Sequence, residues 1–114
     1  MMRMDIFYAL ADPTRRKILE LLASRGQLTA TEIYECFSVS PPAISQHLKV
    51  LREANLVKMV KRAQQHIYQI NPDKVLELED WSQQLTQQWN KRLDALDELL
   101  KVEKENIENK RKDI

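Results

Sequence analysis

SPPAISQHLKVLREANLV, residues 40–57, opens on a serine and two adjacent prolines and reaches an asparagine at position 55. Ser40 is placed to cap a helix, and Pro41 falls at its first position, where the missing N–H costs nothing. Asn55 tolerates the left-handed conformation that ends helices. At about 100° per residue, Ile44, Leu48 and Leu51 share one face. Pro42, Gln46, Lys49 and Val50 point the other way, with Ser45 and Arg52 on a flank and His47 beside the apolar face. Charged residues make up 31% of the chain, yet this outward row sets Ser45 and Gln46 beside two cations and carries no acid. Such a face suits a partner with a mixed donor–acceptor surface.

The residues before it predict a second, shorter helix. In LTATEI, Thr29 and Glu32 have the spacing of a capping box, and Leu28 and Ile33 that of a hydrophobic staple. This helix is expected to end near Phe37-Ser38. The tight FSVS connection then leads into the helix at 41–54, and the pair matches a helix-turn-helix. Further upstream, Asp12 caps a helix with Pro13 at its first position. Ile18, Leu19, Leu21 and Leu22 form its buried face, and Gly26, the only glycine, stops it.

Beyond Leu56 the period changes. VKMVK and HIYQI read as two short strands joined by RAQQ, a hairpin that forms a wing beside the helix-turn-helix. Its turn lacks glycine, and neither Ala63 nor Gln64 favours positive φ. Pro72 begins a long last helix with Asn71 as its cap. Leu78, Trp81, Leu85, Trp89, Leu93, Leu96 and Leu100 recur by threes and fours along it. That stripe covers ~33 Å of helix, more than a small domain hides alone, and burial of each residue contributes roughly 1.5–3 kcal/mol. A two-fold dimer is the simplest cover, with Trp81, Leu85, Trp89, Leu93, Leu96 and Leu100 at its interface. The fold class is therefore mainly α with a small β-hairpin wing: a winged helix-turn-helix with a long C-terminal dimerisation helix. Residues 1–100 are expected to form this domain, and residues 101–114 a charged, frayed tail.

Composition narrows the function. The chain has 114 residues with 43% hydrophobic content, which fits one globular domain. A single cysteine, Cys36, excludes an internal disulfide framework and fits a reducing cytoplasm. No apolar run approaches the ~18 residues of a membrane span, and the short apolar start, interrupted by Asp5, does not make a signal peptide. The net charge of +1 conceals a division. Residues 1–76 carry 11 Lys/Arg against 7 Asp/Glu, and residues 77–114 carry 7 against 10. Residues 54–72 hold Lys58, Lys61 and Arg62 and no acid, a local sign that suits a polyanion. No glycine-rich phosphate loop and no nucleophile–base spacing point to an enzyme.

Three segments, YALADPTRRKILELL, VSPPAISQHLKVLREANLV and IYQIN before the long helix, resemble the ArsR-type winged-helix transcriptional repressors. The resemblance covers roughly residues 5–100. RLDALDELL, with Trp81 and Trp89, is similar to the metal-independent branch of that family. It implies a cytoplasmic homodimer held by the first and last helices, which binds an inverted-repeat operator in double-stranded DNA. By position, it places DNA contacts at Pro41, Pro42, Ser45 and Gln46, with wing contacts near Arg62 and Gln64. The helical wheel selects Pro42, Gln46 and Lys49 independently. Gln pairs bidentately with adenine, and Ser serves base edges or phosphates. Lys49, Arg52, Lys58, Lys61 and Arg62 are candidates for phosphate contact. The chain departs from the family pattern in two places: Pro41 stands where glutamine is common, and the wing tip lacks the usual glycine.

No cofactor and no metal are expected. One family metal site uses cysteines where this chain has Thr29 and Thr31, and another uses histidines on the last helix, which has none. Cys36, His47 and His66 do not obviously converge. Cys36 itself reads as a small buried residue beside Phe37 rather than a redox switch. The alternative to a repressor is a winged-helix interaction or antirepressor module without specific DNA binding.

Overall fold

Polar caps and prolines set the helix starts. The computed structural model describes residues 5–112, so the outer ends of the expected segments 1–100 and 101–114 lie outside the described residues. The order is α1 (Ile6–Leu10), α2 (Pro13–Arg25), β1 (Gln27–Thr29), α3 (Ala30–Glu35), α4 (Pro41–Glu53), β2 (Val57–Arg62), β3 (Gln65–Ile70) and α5 (Pro72–Lys112). Asp12 accepts from the Arg15 N–H at 3.1 Å at the start of α2. Gly26 ends that helix at φ 87°, a value that suits glycine. At α3 the capping box is complete: the Glu32 N–H donates to Thr29 Oγ1 at 3.2 Å and the Thr29 N–H to Glu32 Oε1 at 3.0 Å. The Thr29 N–H bond to the carboxylate, with the Thr29 hydroxyl and then the Arg25 charge adding to it, holds the Glu32 carboxyl below its usual pKa.

The end of α4 is a Schellman motif. The Leu56 N–H donates to the Leu51 carbonyl at 3.0 Å, and the Asn55 N–H to the Arg52 carbonyl at 2.9 Å. Asn55 takes φ 61°, as its side chain permits. The reversal feeds the chain directly into β2. Asn71 then ties the far end of the sheet to the same turn, its N–H donating to the Leu56 carbonyl at 2.9 Å and its Nδ2 to the Asn55 carbonyl at 2.8 Å. The Asn71 side chain, expected to cap α5, is thereby turned to Asn55. Its Oδ1 is buried without a partner.

The sheet has three antiparallel strands in the order β1-β3-β2, one more than the hairpin expected. Leu28 of β1 pairs with Tyr68, and the same Tyr68 pairs with Met59 of β2. A three-residue strand carries too little alternation to be read as one, and Thr29 serves at once as its last residue and as the α3 cap. The core gathers Ala9, Ile18, Leu22, Leu28, Ile33, Ile44, Leu48, Leu51, Ala54, Leu56, Val57 and Tyr68. Burial pushes the Tyr68 hydroxyl above its ordinary pKa.

By internal packing the chain divides into Met1–Leu76 and Glu77–Ile114. The first unit holds the whole core. In the second, α5 remains helical to Lys112, through the stretch from 101 that was expected to fray, and buries none of its residues. Trp89 is 61% exposed and Leu93 41%. No described helix is long and apolar enough to cross a membrane.

Candidate nucleic-acid interface

Helix α4 presents the face that the sequence predicts. Ile44, Leu48 and Leu51 are buried, while Pro41, Pro42, Ser45, Gln46, Lys49 and Arg52 are exposed. Val50 departs from the expected outward orientation. It is half-buried against the core, because β2 packs beside α4 and widens the arc that is covered. The Ser40 cap, with its Oγ 3.4 Å from the Ala43 N–H, and the two prolines hold the first turn, so Pro42 and Gln46 stand on a stiff base.

Two side-chain bonds attach α4 to the elements beneath it, and neither is readable from spacing. The Tyr34 hydroxyl on α3 lies 2.8 Å from Ser45 Oγ. On the opposite side, Arg15 of α2 reaches three ways: its Nε donates to the Ala9 carbonyl at 2.7 Å, its Nη2 to the Tyr8 carbonyl at 3.0 Å, and its Nη1 lies 3.3 Å from His47 Nδ1. Its guanidinium also stands 5.3 Å from the centre of the Tyr8 ring. Asp12 Oδ2 is 3.7 Å from the same His47 nitrogen. Arg15 thus closes the last turn of α1 and braces α4 through His47. His47 is half-buried beside the core face, where the wheel placed it, and is occupied by these partners. Only the doubled arginine after Asp12-Pro13 hints at this brace.

The wing tip is a two-residue loop, Ala63-Gln64, between Arg62 and Gln65. Among the described residues, Ala63 at φ 57° and Asn55 are the non-glycine residues in the left-handed region. Positive φ at the first loop position alone is the sign pattern of a type II′ turn, so the missing glycine strains the tip without abolishing it. Side chains alternate along β2: Lys61 shares the face of Val57 and Met59, and Arg62 the face of Lys58 and Val60. The two cations therefore straddle the strand, and with Gln64 and His66 all four are exposed.

Lys49, Arg52 and Lys58 line an open cleft of about 580 Å³ between α4 and β2, where Glu53 is the only acid. Positive charge thus runs from α4 to the strand leading to the wing, a field that suits a polyanion. Among the described residues no group of three or more His, Cys, Asp or Glu is placed to hold a metal ion. Cys36 is exposed rather than buried, because it caps the C-terminus of α3; its Sγ donates to the Glu32 carbonyl at 3.3 Å.

Comparison with known proteins gives the arrangement relatives. Residues 10–60 match the family model of a helix-turn-helix domain. The chain is 39% identical over 77 residues to the transcriptional repressor SdpR of Bacillus subtilis (strain 168), covering 68% of this chain and 84% of that protein. A solved ArsR-like transcriptional regulator from Rhodococcus sp. RHA1 superimposes with a TM-score of 0.74 at 27% identity, over 84% of this chain and 87% of that one. A solved ArsR family transcriptional regulator gives 0.68 at 30% identity, over 75% and 87%.

Proposed function

This chain belongs to the ArsR family of winged-helix transcriptional regulators, and we propose that it is a cytoplasmic, homodimeric repressor that reads an inverted repeat in double-stranded DNA. Helix α4 enters the major groove, with Gln46 and Ser45 at base edges or the adjoining backbone and the Pro41 and Pro42 rings against the groove wall or a thymine methyl. Lys49, Lys61 and Arg62 meet phosphates, and Gln64 follows at the wing tip. The exposed stripe Trp81, Leu85, Trp89, Leu93, Leu96 and Leu100 meets its copy in a second chain. Release does not depend on a metal ion, in line with the metal-independent branch.

One observation carries this reading. The exposed face of α4 is almost free of acid and rich in hydrogen-bonding groups, while Ile44, Leu48 and Leu51 hold its back rigidly in the core. A helix serving only solubility would carry paired Glu and Lys there. Selection of duplex DNA from a random pool at physiological salt tests it. A two-fold symmetric motif is expected. A folded dimer that enriches no sequence would overturn the reading in favour of an interaction module.

A further inference from the structure

The Tyr34–Ser45 contact has a consequence for what α4 presents to DNA. Both groups are hydroxyls, and each is a donor and an acceptor. Left alone, a helical serine turns its proton to the carbonyl one turn back, here that of Pro41, and offers only lone pairs outward. With the Tyr34 oxygen 2.8 Å away, a different arrangement is available. The phenol, whose oxygen lone pairs are drawn into the ring, is the stronger donor and the weaker acceptor of the two. Either oxygen can donate at this distance; with the phenol as donor, one lone pair of Ser45 Oγ is occupied and its rotamer is fixed. Among the described residues Ser45 Oγ has Tyr34 as its one side-chain partner and makes no bond back to the Pro41 carbonyl, so with the phenol donating, the serine proton is the free one, on the exposed side of α4.

The pair is held from below. Tyr34 is half-buried and its ring packs against the core cluster, next in sequence to the fully buried Ile33. The ring therefore cannot swing away without exposing apolar surface. Ser45 sits one position from Gln46 on the same exposed side of the helix.

We infer that Tyr34 is a specificity-determining positioning residue, which makes Ser45 a committed hydrogen-bond donor toward an acceptor oxygen or nitrogen on DNA. This rests on the proposed DNA-binding function. The acceptor class is a non-bridging phosphate oxygen or a purine O6/N7 edge, and these chemistries are alike in demanding a donor. Tyr34 acts through Ser45 and need not touch DNA itself.

The test is a double-mutant cycle on DNA affinity, with Tyr34→Phe, Ser45→Ala and the double variant, each measured on the selected operator and on random duplex. Tyr34→Phe keeps the ring in the core, and unchanged melting temperatures establish that the fold is intact. Each single variant should lose about fivefold in affinity per half-site, and the double variant should lose no more than either alone. Loss confined to the operator assigns the acceptor to a base edge; equal loss on both duplexes assigns it to phosphate. Additive losses, or a Tyr34→Phe protein that binds as the parent does, would overturn the inference. If the parent itself selects no operator, the DNA-binding reading fails first, so the two failures are distinguishable.

Discussion

Gln46 and Lys61 both lie exposed, but they are asked to do different work. If Gln46 reads an adenine as proposed, Gln46→Ala removes that bidentate contact and should cost ~1–3 kcal/mol on the operator while relaxing one position in each half-site. Lys61→Ala should weaken all duplexes alike and reduce the salt slope by about 1. Equal loss on operator and random DNA in the Gln46 variant would refute base reading there. Ala63 raises a separate question, of stability. At φ 57° it bears the penalty of an L-residue in left-handed backbone. Ala63→Gly should therefore stabilise the protein by about 0.5–1 kcal/mol, the relief exceeding the added chain entropy. A urea midpoint that stayed level or fell would show that the tip does not carry the strain.

Among the elements, α4 and α5 solve opposite problems. Helix α4 buries its apolar stripe within its own unit, and its polar face is what remains for a partner. Helix α5 keeps its stripe exposed from Trp81 to Leu100. The intervals from Leu78 to Leu100 run 3, 4, 4, 4, 3 and 4. That mean of about 3.67 is the spacing of an 11-residue repeat, so a partner helix should wind along it with a shallow right-handed sense rather than the left-handed one of a heptad seam. Trp89→Arg or Leu93→Glu places a charge in that seam and should give monomers by analytical ultracentrifugation. An unchanged dimer would move the interface off this helix.

For the whole molecule, the proposed two-fold dimer would set the operator by its symmetry. Two recognition helices related by a two-fold axis should lie about 34 Å apart, one turn of B-DNA, so half-site centres should fall ~10–11 base pairs apart. Selected sites with another spacing would contradict this placement. Affinity should fall with salt at a log–log slope of roughly −0.9 per phosphate neutralised. The net charge of +1 does not weaken this expectation, because the basic excess is confined to residues 1–76 and the acidic excess to 77–114. Electrostatic attraction depends on the local field rather than the total, so an acid-poor wing and α4 face suffice.

The sequence by itself determined the helix boundaries set by Asp12-Pro13, Thr29–Glu32, Ser40-Pro41 and Asn55, and the buried face of α4, because caps and helical period are local properties. It also carried the family. It missed β1, whose three residues hold too little alternation, and α1, five residues closed by arginines from the next helix. It set Val50 outward and Cys36 inward, whereas Val50 is half-buried because β2 packs beside α4, which a helical wheel does not contain, and Cys36 is exposed at the C-terminal cap of α3. Only the tertiary structure decided that Tyr34 meets Ser45 and that Arg15 reaches His47. Those contacts join residues 11 and 32 positions apart, and they exist only where helix packing brings separate side chains within hydrogen-bonding distance.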